Sequence, residues 1–375
     1  MKLAFSPEQE QFRDTVRRFL ERSAPEPAAR ALMDTAEGHD PALWSAMADQ
    51  LGLQGLIVPE RYGGGGFGQR ELALVFEELG RSLLPCPMLP TVGLAVNALL
   101  RADDPDARER YLPAIADGSL IATMALTDAD ANWGAEGLSV RGEQSGGSWA
   151  LTGEQDHVLW AHAADLILVI AHTGAGPSLF ALARSAPGLT VTPLCTMDLG
   201  NRRSALTLDG TPAALIGTEG AGLAVFGQAL DLAAVAMAAS ATGSAARVLE
   251  MALEYAGTRT TFGRPIGSYQ AIKHQCADLL LEVEAARSAA YYAALAAAED
   301  SPDLHVAATM AKLRCSAAFL RVAEENILIH GGIGFTWEHP AHLYYRRARS
   351  DAQYLGDAAQ LRAELTAQLG LRPAS

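Results

Sequence analysis

The sequence predicts an α+β protein of three parts: a helical N-terminal domain over residues 1–119, an antiparallel, barrel-like β domain over 120–221, and a C-terminal four-helix bundle over 222–375. Three observations carry that prediction. Apolar residues recur at helical spacing through the first third of the chain. From about residue 120 the texture changes to short apolar or alternating runs separated by Gly, Ser and Asp. After about residue 222 long Ala-, Leu- and Val-rich segments return, too apolar for much of their surface to face water.

The first helix starts at Ser6-Pro7-Glu8-Gln9, with Ser as the cap, Pro in the first turn and Gln9 completing a capping box. Phe12, Val16, Phe19 and Leu20 then form one stripe. Asp40-Pro41 opens a second helix with Leu43, Trp44, Met47 and Leu51 facing inward. The run Tyr62-Gly63-Gly64-Gly65-Gly66-Phe67-Gly68 lacks the strand–GxxxxGK[ST]–helix setting of a phosphate loop and reads as a flexible connector. Helices follow near 69–82, 90–101 and 106–116.

Strands are expected at Leu138–Val140, Trp149–Thr152, Asp165–Ile170, Leu189–Thr192 and Ala205–Leu208. The final part should hold a helix from Leu223 to Tyr255, a second burying Ile272, Cys276, Leu279, Leu280, Val283 and Ala286, and a third from His305 to His330. One last helix is expected over 340–370. The apolar surface of the first two predicts at least a dimer, with the bundle at the interface.

Composition narrows the function. Hydrophobic content is 49% and charged content 19%, that of a packed globular protein. A net charge of −14 argues against a nucleic-acid surface and against anionic membranes. Cys86, Cys195, Cys276 and Cys315 form no CxxC pair or zinc spacing, so reduced thiols in a cytoplasm are expected. No run has signal-peptide or transmembrane character.

One stretch combines chemical groups unusually. Tyr255–Gln270 reads as an exposed bend between two helices, broken by Gly263, Pro265 and Gly267. It offers Arg259, the hydroxyls of Thr260 and Thr261, and the ring of Phe262, a set suited to a phosphate-bearing ligand with a flat ring; an ordinary surface loop is the alternative. His339 and His342 have HxxH spacing but no carboxylate to complete a metal site. His157 and His162 read as strand-edge histidines. Neither a nucleophile elbow nor a GxGxxG after a strand is present.

The order of parts and four stretches together resemble the acyl-CoA dehydrogenases. These are Val58-Pro-Glu-Arg-Tyr-Gly-Gly, Met124-Ala-Leu-Thr-Asp, Arg259-Thr-Thr-Phe-Gly-Arg-Pro-Ile with Gln270, and His330-Gly-Gly-Ile-Gly-Phe-Thr-Trp-Glu-His. The resemblance spans nearly the whole chain and is strongest from residue 220 onward. It implies a dimer or a tetramer built as a dimer of dimers, with FAD between subunits oxidising the Cα–Cβ bond of an acyl-CoA thioester, and an electron-transfer flavoprotein as a possible acceptor. By the same carry-over Arg259 meets the pyrophosphate of a neighbouring subunit's FAD, with Thr261 in the same motif. Phe262 and Gln270 contact the adenine side, and Gly331 and Gly332 allow close backbone approach. Leu126 and Thr127 belong to the other half of the flavin site.

That other half departs from the family pattern. Where the family has Thr-Glu-Pro-Xaa-Ala/Ser-Gly-Ser-Asp, this chain has Thr127-Asp128-Ala129-Asp130-Ala131-Asn132-Trp133, which puts Trp133 where a small Ser donates to the cofactor. The aromatic residue that covers the flavin falls at His157, a following Thr at Leu159, and a Gln before the His-Gly-Gly run at Leu328. Both positions at which family members carry the catalytic Glu are apolar here: Leu355, before Gly356, and Ala233. Asp231 and Asp357 are the nearest carboxylates, read as a helix N-cap and as a surface or ribose contact. The resemblance therefore implies the base-lacking partner of a heteromeric FAD enzyme, similar to those acting on CoA thioesters of steroid side chains and other bulky acids. A non-redox binding or scaffold protein of the same fold is the alternative, and a homomeric enzyme with an unusual base ranks below both.

Overall fold

A computed structural model describes residues 4–127, 133 and 138–371. In chain order it begins with helices α1 (Pro7–Ser23), α2 (Glu26–Leu32), α3 (Pro41–Leu51) and α4 (Gln69–Ser82). A π-helical segment (Leu89–Val96) then runs into α5 (Asn97–Arg101), followed by α6 (Pro105–Ala116). The strands are β1 (Ala122–Ala125), β2 (Arg141–Ser145), β3 (Ser148–Leu159), β4 (Leu166–Thr173), β5 (Gly176–Ala183), β6 (Leu189–Pro193) and β7 (Arg203–Ile216). Then come α7 (Gly222–Thr258), the short strands β8 (Thr260–Thr261) and β9 (Arg264–Pro265), α8 (Gln270–Ala298), α9 (Leu304–His330), α10 (Ala341–Asp351) and α11 (Ala358–Gln368). Helices, strands, then helices is the order the sequence predicts.

The chain gathers into two compact units, one of Met1–Ala29, Gln69–Leu84 and Ala234–Ser375, the other of Arg30–Gly68 and Pro85–Ala233. In the first unit, Ser6 Oγ accepts from Gln9 N–H at 3.3 Å while Ser6 N–H donates to Gln9 Oε1 at 2.9 Å, the expected capping box. Val16, Phe19 and Leu20 form the buried stripe of α1. Helices α4 and α7 touch through backbone. A Cβ on Gly80 would lie 2.0 Å from Ser240 O, and one on Gly243 would lie 1.8 Å from Glu77 O. Ser244 Oγ donates to Gly80 O at 2.9 Å in the same crossing.

Two glutamates of α4 are buried beside that crossing. Arg17 of α1 grips Glu78 with two hydrogen bonds of 2.7 and 2.8 Å, and Tyr291 of α8 donates to Glu77 Oε2 at 3.0 Å. Burial raises the Glu77 carboxyl above its ordinary range against the opposing pull of the Tyr291 hydroxyl and Arg13. Helix α7 is long and apolar enough to cross a membrane, and most of its apolar window is buried inside the protein.

In the second unit β4, β5, β7, β3 and β2 pair in succession, and a bridge between Arg141 and His172 returns β2 to β4. The ring is thereby closed, which removes most sheet edges. Its core is Val140, Leu151, Val158, Ile167, Val169, Phe180, Leu206 and Leu208 with their small neighbours. The pairings are antiparallel except two. β1 runs parallel to β4 from Ala122↔Leu166 to Ala125↔Val169, and the β2–β4 bridge is parallel, because the β2–β3 hairpin is inserted between them. Thr91 Oγ1 donates to Ala122 O at 2.8 Å, tying the π-helical segment to β1, and Trp44 Nε1 donates to Gly118 O at 2.9 Å, tying α3 to the turn after α6.

Several expectations are corrected. The glycine run is a packed loop and not a flexible connector. Gly65, Gly66 and Phe67 donate their N–H groups to Gly55, Val58 and Leu56, and a Cβ on Gly64 would lie 2.1 Å from Val58 O. Leu138–Val140 lies just before β2 instead of forming a strand, while β1 and β5 went unread. The last segment is two helices, α10 and α11, because Leu355 and Gly356 take φ of +60° and +96° between them.

Candidate cofactor site

The bend singled out in the sequence is a β-hairpin. Phe262 and Gly263 form its two-residue turn with φ of +52° and +78°, the left-handed pair that suits the twist of a tight hairpin. Gly263 adopts this freely and Phe262 does not. Its ring is nonetheless 94% exposed. Beneath it, Tyr269 O–H donates to Thr261 O at 2.9 Å, the Arg264 guanidinium lies 4.0 Å above the Tyr269 ring, and Ile266 N–H donates to Arg259 O at 2.8 Å.

Arg259 is exposed and has no carboxylate partner among the described residues. Gln270 is the first residue of α8, whose N-terminus carries no side-chain cap. Free N–H groups and the positive end of a long helix thus stand beside two arginines in a chain of net charge −14.

The Gly331–Phe335 turn is tied to this hairpin by rings. Tyr255, four residues before Arg259, stacks on His330 with centroids 4.3 Å apart, and His330 meets His339 at 4.2 Å. Burial lowers the pKa of His330, and its Nδ1 donates to Asn326 O at 2.8 Å. Gly331 takes φ +64° and ψ −142°, a conformation reserved to glycine. A Cβ on Gly331 or Gly332 would meet nothing within 4 Å, so both stand at open surface where a ligand can lie on backbone. Leu328, Phe335 and Trp337 form an apolar rim, 68%, 74% and 55% exposed. Sequence reading missed Tyr255 and the His330–His339 contact. The HxxH histidines are built into ring contacts instead, His342 against Trp337 at 4.5 Å.

Arg259, Thr261, Phe262 and Gln270 of the hairpin segment and Gly331 and Gly332 of the turn are all exposed residues of the first unit, linked through the Tyr255–His330 stack. An exposed cation, an uncapped helix start, an exposed ring and bare glycine backbone fit a dinucleotide's pyrophosphate and base. Leu126 and Thr127 lie in the second unit at the end of β1, with side chains 2% and 1% exposed, and Thr127 O accepts from Asp156 N–H at 3.1 Å.

His157 is no ordinary strand-edge residue. It occupies a bulge in β3 with φ +54°, and its Nδ1 is shielded from water without a hydrogen-bond partner. Burial, reinforced by Arg203, lowers its pKa and favours the neutral ring. His162 lies in the turn after β3, stacked on Trp160 at 5.6 Å with Nε2 3.0 Å from Glu37 O. Trp133 is half-buried, and residues 128–132 lie outside the described residues.

Of the two positions at which the resemblance leads one to expect a base, Leu355 is 7% exposed and Ala233 fully buried. The N-cap expected of Asp231 is found at Asp357 instead. Asp231 lies well inside α7 and is not its N-cap. Asp357 is the N-cap of α11, its Oδ1 accepting from Ala359 and Gln360 N–H at 2.8 Å each.

Comparison with known proteins agrees with this architecture. Residues 6–119 match the acyl-CoA dehydrogenase N-terminal domain and residues 220–370 the C-terminal domain. The chain is 35% identical to acyl-CoA dehydrogenase IpdE2 of Mycobacterium tuberculosis, over 98% of each chain. It is 29% identical to human mitochondrial short-chain specific acyl-CoA dehydrogenase, over 82% of this chain and 77% of that one. Among solved structures, the ChsE4–ChsE5 complex of Mycobacterium tuberculosis superposes with a TM-score of 0.91 at 30% identity, covering all of both chains. Butyryl-CoA dehydrogenase from Megasphaera elsdenii gives 0.89 at 26% identity, over 98% of this chain and 100% of that one. With the helical, β and helical order of its parts, the chain belongs to the acyl-CoA dehydrogenase family.

Proposed function

We propose that this chain is the base-lacking subunit of a heteromeric, FAD-dependent acyl-CoA dehydrogenase. The observation that carries the reading is the pair Leu355 and Ala233: neither side chain can accept a proton, and the carboxylate nearest Leu355 in the sequence, Asp357, is engaged in a helix cap. FAD, when bound, supplies the acceptor for the hydride leaving Cβ of the thioester. The α-proton needs a carboxylate, which on this reading comes from a second dehydrogenase-like subunit.

This chain's part is to hold the cofactor across the subunit boundary. Arg259 neutralises the pyrophosphate, Thr261 borders it, Phe262 and Gln270 meet the adenine side, and Gly331 and Gly332 let the backbone approach. The exposed rim of Leu328, Phe335 and Trp337 supports burial against that partner in a dimer or tetramer. Likeness to the ChsE4–ChsE5 complex supports the heteromer, and likeness to a steroid acyl-CoA dehydrogenase supports a bulky, steroid-derived acyl group. Electrons leave to an electron-transfer flavoprotein, in the cytoplasm.

The test is to purify the chain alone and with a dehydrogenase-like partner bearing Glu, reading oxidised-flavin absorbance at about 450 nm and acyl-CoA oxidation. Flavin and turnover are expected in the complex, with little or no turnover by the lone chain. Robust turnover by the lone, flavin-loaded chain overturns the reading, with Asp231 and Asp357 then the first bases to test. A complex without flavin favours a scaffold role.

A further inference from the structure

The β8–β9 hairpin presents a problem of support. It has two residue pairs, Thr260↔Pro265 and Thr261↔Arg264, and Pro265 has no N–H to donate. A two-stranded ribbon of that length is not stable by itself. Its turn holds an aromatic residue in the left-handed region, with the ring 94% exposed and so without packing of its own. Whatever keeps Phe262 in place must act from the other side of the hairpin.

The half-buried Tyr269 stands there. Its hydroxyl donates to Thr261 O at 2.9 Å, one residue before Phe262, and its ring carries the Arg264 guanidinium at 4.0 Å, one residue after Gly263. One side chain therefore grips both strands immediately below the turn. Tyr269 is also the residue that precedes α8, and Gln270 follows it. Gly267 fixes the base of the loop: a Cβ there would lie 2.9 Å from Ala256 O, so the segment lies directly on α7.

We propose that Tyr269 is a positioning residue for the cofactor: through Thr261 and Arg264 it holds the Phe262 ring in its exposed, left-handed setting, ready to meet the adenine of FAD across the subunit boundary. The inference rests on the proposed function, because it needs the cofactor to be held at this surface. Its physical content is preorganisation. A ring already fixed loses little freedom on binding, whereas a loosened hairpin must be ordered by the ligand.

The experiment is a double-mutant cycle on the heteromeric complex, with FAD affinity read by flavin fluorescence titration. Tyr269→Phe keeps the ring under Arg264 and removes the bond to Thr261. It should weaken FAD binding roughly three- to tenfold, the scale of one neutral hydrogen bond, with Tm and assembly unchanged. Phe262→Ala should weaken binding further. The double variant should bind no worse than Phe262→Ala alone, because Tyr269 acts through that ring. Unchanged affinity in Tyr269→Phe overturns the proposal, as do losses that multiply in the double variant. A parent complex that takes up no FAD at all fails at the earlier step and overturns the proposed function itself.

Discussion

Gly243 of α7 lies directly on the backbone of Glu77 of α4, so close that a methyl group there would sit 1.8 Å from the Glu77 carbonyl oxygen. Helical glycine ordinarily costs about 1 kcal/mol relative to alanine, so its presence mid-helix needs a reason, and contact between two backbones supplies it. Gly243→Ala should therefore destabilise the protein by about 2–4 kcal/mol, contrary to the helix-propensity expectation. Urea unfolding of the variant measures this, and a stabilised variant would show that the helices separate easily.

Lys312 is a buried cation, 1% exposed, whose Nζ donates to Asp351 O at 2.9 Å and to Ser316 Oγ at 3.3 Å. Burial lowers its pKa from 10.5 to about 8. The folded state thus binds this proton less well than the unfolded state. Its stabilising contribution is complete above pH 10.5 and is lost as pH falls through 8. Relative to Lys312→Met, the parent should gain up to about 3 kcal/mol between those two pH values. A stability difference that does not change with pH would contradict this.

Arg259→Ala removes a charge-assisted contact worth about 1.5–3 kcal/mol, so flavin affinity of the complex should fall about ten- to a hundredfold. Flavin retention through gel filtration, followed by titration, reads the effect. Parent-like affinity would place the pyrophosphate elsewhere.

Leu355→Glu should not give the lone chain acyl-CoA dehydrogenation. Positioned base catalysis contributes about 10²–10⁴-fold and requires a completed cofactor surface around the reacting carbon. By the resemblance, His157 and Leu159 stand where the family has an aromatic residue and a Thr, and Trp133 where it has a Ser. Turnover by lone Leu355→Glu with an artificial electron acceptor would show that those three replacements are harmless.

How much of this was legible in the sequence depended on range. The Ser6–Gln9 capping box and the Gly263–Pro265 break are local chemistry, and both appear as read. β1 and β5 were missed because buried strands lack polar alternation: Ala122–Ala125 is buried at every position. The tight packing of Gly64 depends on Val58 and Gly55 folding back over it. The turn at Leu355 places a non-glycine at φ +60°, which no turn rule signals. The Tyr255–His330 stack joins residues far apart in sequence, so the motifs were visible while the link between them was not.

The backbone clamp between α4 and α7 has a mechanical consequence for the hairpin. From Gly243 to the end of α7 at Thr258 is a rod of about 22 Å at 1.5 Å per residue, and Arg259 begins where the rod stops. A rigid lever held near its middle transmits displacement to its tip, so a small tilt imposed by bulk at Gly80 or Gly243 would swing Phe262 through a larger arc. Sequence drift in α4, which contributes none of the hairpin's residues, is thereby coupled to where the exposed Phe262 ring stands.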